Sequence, residues 1–165
     1  MDLFHHRWSA PALALLDERG GVRFVELQRG LEVSRESLHR ALDGLIALGY
    51  VRRNPGYGHP LRPEYLITDA GRTAAGLATR VAASARRDVL LRKWSVPVLA
   101  TLEVPLRFSE LRTALPGVTP RALALALREL ETANLVQRQV LDTRPPSTRY
   151  HPTGAADRLL GRHAG

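Results

Sequence analysis

The chain has 165 residues, 44% of them hydrophobic, and a formal net charge of +8 at pH 7 from 24 Lys and Arg against 16 Asp and Glu. No apolar run approaches the roughly 18 residues needed to cross a bilayer, and the start, Met1 to Arg7, lacks a signal-peptide pattern, so the expected location is the cytoplasm. The absence of cysteine excludes disulfides, thiolate zinc sites and thiol redox sensing, while the basic balance points to a polyanionic partner, nucleic acid first. All the basic residues except Lys93 are arginine, a bias that a GC-rich genome would also produce.

Taken in chain order, Ser9 to Glu18 carries Ala12, Leu13, Leu15 and Leu16 at helical spacing, with Pro11 tolerable in the first turn and Gly20-Gly21 as the stop. Val22-Arg23-Phe24 reads either as a short strand or as the lead into a second helix whose buried side holds Phe24, Leu27 and Leu31. After a turn at Glu32-Val33, Ser34 is the predicted N-cap of a third helix, with Leu38, Leu42, Leu45 and Ile46 on its core face and Gly49 ending it. The period then becomes extended: Tyr50 to Arg53 and Glu64 to Ile67 read as two strands of a long-tipped hairpin, the segment between them being rich in turn formers. Helix, helix, turn, helix and hairpin is the order of a winged helix-turn-helix domain.

Asp69 to Lys93 contains no proline and repeats Ala70, Ala74, Leu77, Val81 and Ala85 at four- and three-residue steps, which predicts one long helix, or two broken near Ser84. Small residues such as Gly76, Ala78 and Ala82 would let another helix approach closely. The whole pattern then returns. Trp8-Ser9-Ala10-Pro11 recurs as Trp94-Ser95-Val96-Pro97, Arg23-Phe24-Val25-Glu26-Leu27 recurs as Arg107-Phe108-Ser109-Glu110-Leu111, and Val33 to Thr68 maps onto Val118 to Thr153 at a constant offset of 85. A unit of that length is a small domain rather than a solenoid repeat. In the second copy Phe108, Leu111 and Leu115 mark the second helix, Thr119-Pro120 the start of the third, Leu123, Leu127 and Leu130 its core face, and Leu135 to Leu141 with Arg149-Tyr150 the wing. The expected fold is therefore mainly helical with small hairpin wings: a winged-helix domain at 1–72, a helical linker at 73–87 and a second winged-helix domain at 88–165.

Lys93-Trp94, Arg107 to Leu111, Pro116 to Arg121, Leu135-Val136 and Pro145 to Tyr150 together resemble the HxlR-type family within the MarR-like winged-helix regulators, and copy one matches more loosely. Proteins of that kind are homodimeric bacterial transcription regulators in which each subunit offers a recognition helix and a wing. The resemblance implies double-stranded DNA as partner, a repressor more than an activator, and two units acting on one chain as a pseudo-dimer, either as a monomer or paired further into a homodimer. This chain departs from the pattern in its Trp-Ser-x-Pro starts, in Asn134 where glycine is common, and in lacking the thiol that some members use as a switch.

On the third helix of copy one, Arg35, Glu36, His39, Arg40 and Asp43 face away from the core positions. Arginine there can read guanine O6 and N7, and Ser34 with the helix N-terminus can hold a phosphate; the alternative is a solvated face. In copy two the outward set is Pro120, Arg121, Ala124, Leu125 and Arg128, beside the Thr119 cap, so copy one is expected to supply the stronger base reading. Wing residues Arg53, His59, Arg62, Arg138, Arg144 and Arg149 are candidates for phosphate or minor-groove contact, Arg144 at the tip foremost. With about six phosphates neutralised, the logarithmic salt slope is expected near about −5.

Trp8 and Trp94, with Phe4 and Tyr57, read either as core anchors or as a platform for an aromatic or apolar small-molecule effector. His5-His6 lacks a further ligand at metal-binding spacing, no cofactor is implied, and the catalytic signatures of phosphate loops, nucleophile elbows and zinc proteases are absent, so an enzyme is not expected. Two rival readings stay open: a small-molecule binding or sequestering protein on a winged-helix scaffold, and an interaction module in which Leu125 docks a partner helix.

Overall fold

The computed structural model describes residues 2–56, 63–144 and 146–162, and it divides into two compact units, Met1–Ala85 and Arg86–Gly165. In unit 1 a short 3-10 turn, Asp2–Phe4, precedes α1 (Ser9–Arg19), β1 (Gly21–Arg23), α2 (Phe24–Leu31), α3 (Arg35–Ala47), β2 (Val51–Asn54), β3 (Glu64–Ile67) and α4 (Asp69–Ala83). Unit 2 runs α5 (Arg87–Leu90), α6 (Ser95–Thr101), β4 (Leu106–Arg107), α7 (Phe108–Ala114), α8 (Pro120–Thr132), β5 (Val136–Leu141), β6 (Ser147–Pro152) and α9 (Gly154–Leu160). This is the winged helix-turn-helix arrangement, made twice.

The core of unit 1 is built from leucines spaced for helices: Leu13 and Leu16 on α1, Leu27 on α2, and Leu38, Leu42 and Leu45 on α3 are all fully enclosed. Each such side chain contributes about 1.5–3 kcal/mol by leaving water. Leu99, Leu111, Leu123, Leu127 and Leu130 repeat the arrangement in unit 2. Ile46, expected on the core face, is instead exposed, and the buried face is completed by Ala41. At 100° per residue Ile46 lies one step around the helix from Leu45, beyond the stripe that Leu38, Ala41 and Leu42 share. Leu31 and Phe24 are only half-buried, leaving Leu27 as the one enclosed residue of α2.

Each wing is part of a three-stranded sheet rather than a free hairpin, in the orders β1-β3-β2 and β4-β6-β5. The added strands, three and two residues long, pair antiparallel with the returning wing strand, Val22 opposite Tyr65 and Leu106 opposite Tyr150. A third strand satisfies backbone groups that a two-stranded ribbon would leave to solvent.

The threonine that closes each wing also fastens the sheet to the helices. Thr68 Oγ1 donates to the Gly49 carbonyl at 2.6 Å and accepts from Gly71 N at 3.1 Å, capping α4. Thr153 Oγ1 does the same with the Asn134 carbonyl at 2.9 Å and Ala156 N at 3.4 Å, capping α9. Gly49 and Asn134 hold equivalent left-handed conformations, φ 71° and 54°. Asparagine can stand at the glycine position there because it is one of the few other residues that tolerate this region.

The segment read as a linker is divided by the structure. Helix α4 packs along α1 inside unit 1 and ends at Ser84, whose extended backbone (ψ 138°) breaks the helix, and the short α5 belongs to unit 2. The seam on α4 is Gly71, Ala75, Ala78 and Val81, not the stripe beginning at Ala70 and Ala74. These buried residues are mostly small, Gly71 lying against the Tyr50 carbonyl and Ile67, and an alanine-rich helix offers several such faces, among which only packing chooses. In unit 2, α9 takes the place of α4, and Arg162 just beyond it caps the end of α6, donating to the carbonyls of Leu99, Ala100 and Leu102 at 3.3, 2.6 and 2.9 Å. No helix among the described residues is long and apolar enough to cross a membrane.

Candidate nucleic-acid interface

Helix α3 begins at a capped turn: Ser34 Oγ accepts from Ser37 N at 3.3 Å and donates to Ser37 Oγ at 2.9 Å. With Leu38, Ala41, Leu42 and Leu45 turned inward, Arg35, Glu36, His39, Arg40 and Asp43 are all exposed on the opposite side. Two of these are held by a ring that sequence reasoning placed in the core. Phe24, at the start of α2, stacks on His39 with centroids 4.4 Å apart and planes at 29°, and the Arg35 guanidinium lies 5.8 Å from the Phe24 centroid. Phe24 also reaches Tyr65 of β3 at 6.4 Å, so the ring links two helices and the wing. The Arg40 guanidinium is paired with the Glu36 carboxylate one turn earlier. The exposed face of α3 thus carries formal charges that cancel, Arg35 and Arg40 against Glu36 and Asp43.

Helix α8 has the same frame and different chemistry. Thr119 Oγ1 accepts from Ala122 N at 3.2 Å, Pro120 starts the helix, and the exposed side carries Pro120, Arg121, Ala124, Leu125 and Arg128. Pro120 and Ala124 stand at the positions of Arg35 and His39, so Phe108 finds no stacking or guanidinium partner there. Arg121 and Arg128 have no ion-pair partner among the described residues, and Leu125 is 50% exposed. The nearest acidic residue along the helix, Glu129, is drawn to Arg92 at 2.6 Å.

The wings distribute their arginines by strand register. Arg53 lies opposite Tyr65 and Arg138 opposite Tyr150, on the sheet face that carries buried Val51 and Val136, and both are exposed. Arg144 is exposed in the turn between β5 and β6, which Thr143 and Ser147 bridge through their hydroxyls at 3.0 Å. Arg149 lies on the middle strand of its sheet and is half-buried. His59 and Arg62, with Tyr57, lie outside the described residues.

Candidate effector residues divide differently. Phe4 is 3% exposed and belongs to the unit 1 core. Trp8 and Trp94 are half-buried at the starts of α1 and α6, each with a cation against its ring, Arg7 at 5.9 Å and Lys93 at 5.3 Å.

Sequence reasoning missed two features: the Phe24 platform, and the pairing of Arg107 with Arg149 across β4 and β6. The signal for the second was present in the repeat itself, since Glu64 and Arg149 occupy equivalent positions at the offset of 85.

Comparison with known proteins places this geometry in a family. The HxlR-like helix-turn-helix model matches the chain twice, over residues 3–86 and 89–161. An HTH-type transcriptional regulator of Methanothermobacter thermautotrophicus is 44% identical over 59 residues, 35% of this chain and 45% of that protein. YkvN, an HTH-type transcriptional regulator of Bacillus subtilis, is 36% identical over 74 residues, 44% of this chain and 63% of its own length. The matched stretches thus span about half to two thirds of these relatives. Among solved structures, the transcriptional regulator YodB from B. subtilis in its reduced form is similar with a TM-score of 0.44 and 25% identity, covering 58% of this chain and 83% of that one. With two matches that together span most of its length, the chain belongs to the HxlR-like helix-turn-helix family of transcription regulators.

Proposed function

We propose that the protein is a DNA-binding transcriptional repressor whose two winged-helix units grip one duplex, serving on one chain as the two subunits of a dimer do. The observation that carries this reading is that each unit presents a side-chain-capped helix with its apolar stripe inward and its arginine-bearing side to solvent, beside a wing with exposed arginines. A helix so exposed fits the major groove, and adjacent major grooves on one face recur about every 34 Å. The net charge of +8 supplies the attraction to phosphate.

In this reading α3 supplies base contacts through Arg35, His39 and Arg40, with Ser34 and Glu36 at its entry. Helix α8 contributes Thr119, Arg121 and Arg128, and the wings contribute Arg53, Arg138, Arg144 and Arg149. The test is a mobility shift on duplex DNA from the region upstream of the protein's own gene. Simultaneous replacement of Arg35, Arg40 and Arg144 by alanine should abolish the shift while leaving the circular dichroism spectrum unchanged. Unchanged binding by the triple variant would reject the site assignment. Absence of salt-sensitive binding in the parent protein, with quenching of tryptophan fluorescence by an aromatic compound, would reject the DNA reading itself.

A further inference from the structure

The two sheets are superposable in register but opposite in charge at one place. In unit 1 the outer sheet face sets Arg23 of β1 directly opposite Glu64 of β3, and the side chains approach as an ion pair, Nε to Oε1 3.9 Å. In unit 2 the same register sets Arg107 of β4 opposite Arg149 of β6. Like charges directly opposite on neighbouring strands are destabilising, with Cβ atoms only about 4.5–5.5 Å apart. No carboxylate forms an ion pair with either arginine among the described residues. Glu110, the nearest acidic residue in sequence, uses its Oε2 to accept from Arg107 N at 2.6 Å. The Arg149 Nε is fully buried and has no hydrogen-bond partner, which is an unusual state for a guanidinium group.

The residues around the pair are also free of acid. On this face β5 carries Gln137, Gln139 and Leu141, and β6 carries Ser147, Arg149 and His151, with Gln139 directly opposite Arg149. Two arginines at facing cross-strand positions, neither in an ion pair among the described residues, with neutral hydrogen-bonding side chains beside them, suit a tetrahedral anion, since planar forked donors match phosphate oxygens.

We infer that Arg107 and Arg149 together hold one backbone phosphate of the bound duplex, and that unit 2 is the electrostatic anchor of the protein while unit 1 does the reading. The inference rests on the DNA-binding function proposed above. It accounts for the contrast between the two helices as well. Helix α3 carries hydrogen-bonding side chains whose charges cancel, whereas α8 carries Arg121 and Arg128 without acidic neighbours on its exposed face. The wing of unit 1, with its Arg23–Glu64 pair, lacks the corresponding phosphate site.

The decisive variant is Arg149→Glu, which writes into unit 2 the pair that unit 1 already accommodates, and Arg149→Gln removes the charge without creating a new one. Affinity for a duplex of fixed length is measured from 50 to 300 mM salt alongside thermal melting. Both variants should fold and bind more weakly at moderate salt: Arg149→Glu, whose carboxylate also draws Arg107 away, roughly tenfold and with a loss of about 0.9 from the magnitude of the logarithmic salt slope, the amount for one phosphate contact, and Arg149→Gln, which leaves Arg107 on the phosphate, by less and with a smaller loss of slope. If the parent binds DNA with salt sensitivity and both variants keep its slope and affinity, the phosphate clamp is overturned while the DNA-binding reading stands. If the parent shows no salt-sensitive binding, that reading fails first. A third arm measures melting in inorganic phosphate at constant ionic strength: stabilisation of the parent but not of the variants, with an unchanged duplex slope, would overturn the duplex as the source of the phosphate.

Discussion

Replacing Glu36 by glutamine should tighten binding to any duplex at little cost to the fold. The Glu36 side chain is 76% exposed and that of Arg40 67% exposed, so their i,i+4 pairing is worth only about 0.3–0.5 kcal/mol in the free protein. Glu36 also stands in the first turn of α3, where a negative charge gains roughly 0.3–1 kcal/mol from the helix dipole. Glu36→Gln should therefore lower stability by about 1 kcal/mol or less, readable as a small shift in a urea unfolding curve. On DNA the sign reverses. Arg40 no longer has to leave a partner to reach a base or phosphate, and a carboxylate is removed from a surface facing the polyanion. At about 8 Å in water-like surroundings one such repulsion amounts to about 0.5 kcal/mol before screening. Together these terms predict binding about two- to fivefold tighter, measured by fluorescence anisotropy at 150 mM salt on both the upstream sequence and an unrelated duplex. Equal affinity of parent and variant on both duplexes would refute placing α3 against the DNA. A loss confined to the upstream sequence would refute the antagonistic role and make Glu36 an acceptor for cytosine N4.

Three further outcomes follow from contacts inside the units. Gly71→Ala puts a Cβ 2.2 Å from the Tyr50 carbonyl oxygen and 2.7 Å from Ile67 Cγ1, so the gain of about 1 kcal/mol in helix propensity is outweighed and unfolding in urea should show a net loss of about 1–3 kcal/mol; unchanged stability would mean that α4 can move off the sheet without cost. Arg162→Ala removes the donor to three carbonyls at the end of α6 and should lower stability by roughly 2–4 kcal/mol, followed through Trp94 fluorescence at the other end of the same helix; a loss below half of that would show that water replaces the cap. Ser34→Ala should cost about 1 kcal/mol and Thr119→Ala somewhat less, because Pro120 already presets the first helical turn of α8; equal losses from the two variants would argue against that preset.

Much of this protein is legible without coordinates because its signals are local. The leucines at helical spacing, the Ser34 and Thr119 caps, and the turn residues at Gly49 and Asn134 each act within a few neighbours, and their recurrence at an offset of 85 announces two domains of one kind. The outward residues of α3 and α8 follow from the same arithmetic, since they lie on the side of the helix away from the leucine stripe, although Ile46 at the edge of that stripe is exposed. What the sequence alone leaves open depends on distant partners. Strands of three and two residues, β1 and β4, have no periodicity of their own and exist only because β3 and β6 offer an edge to pair with. The seam of α4 could not be read because an alanine-rich helix has several nearly equivalent faces, and α1 selects one of them. Phe24 became a platform for His39 and Arg35 through packing between two helices. Strand register alone brought Arg107 opposite Arg149, residues 42 positions apart in the chain, and so made two scattered cations into one candidate phosphate site.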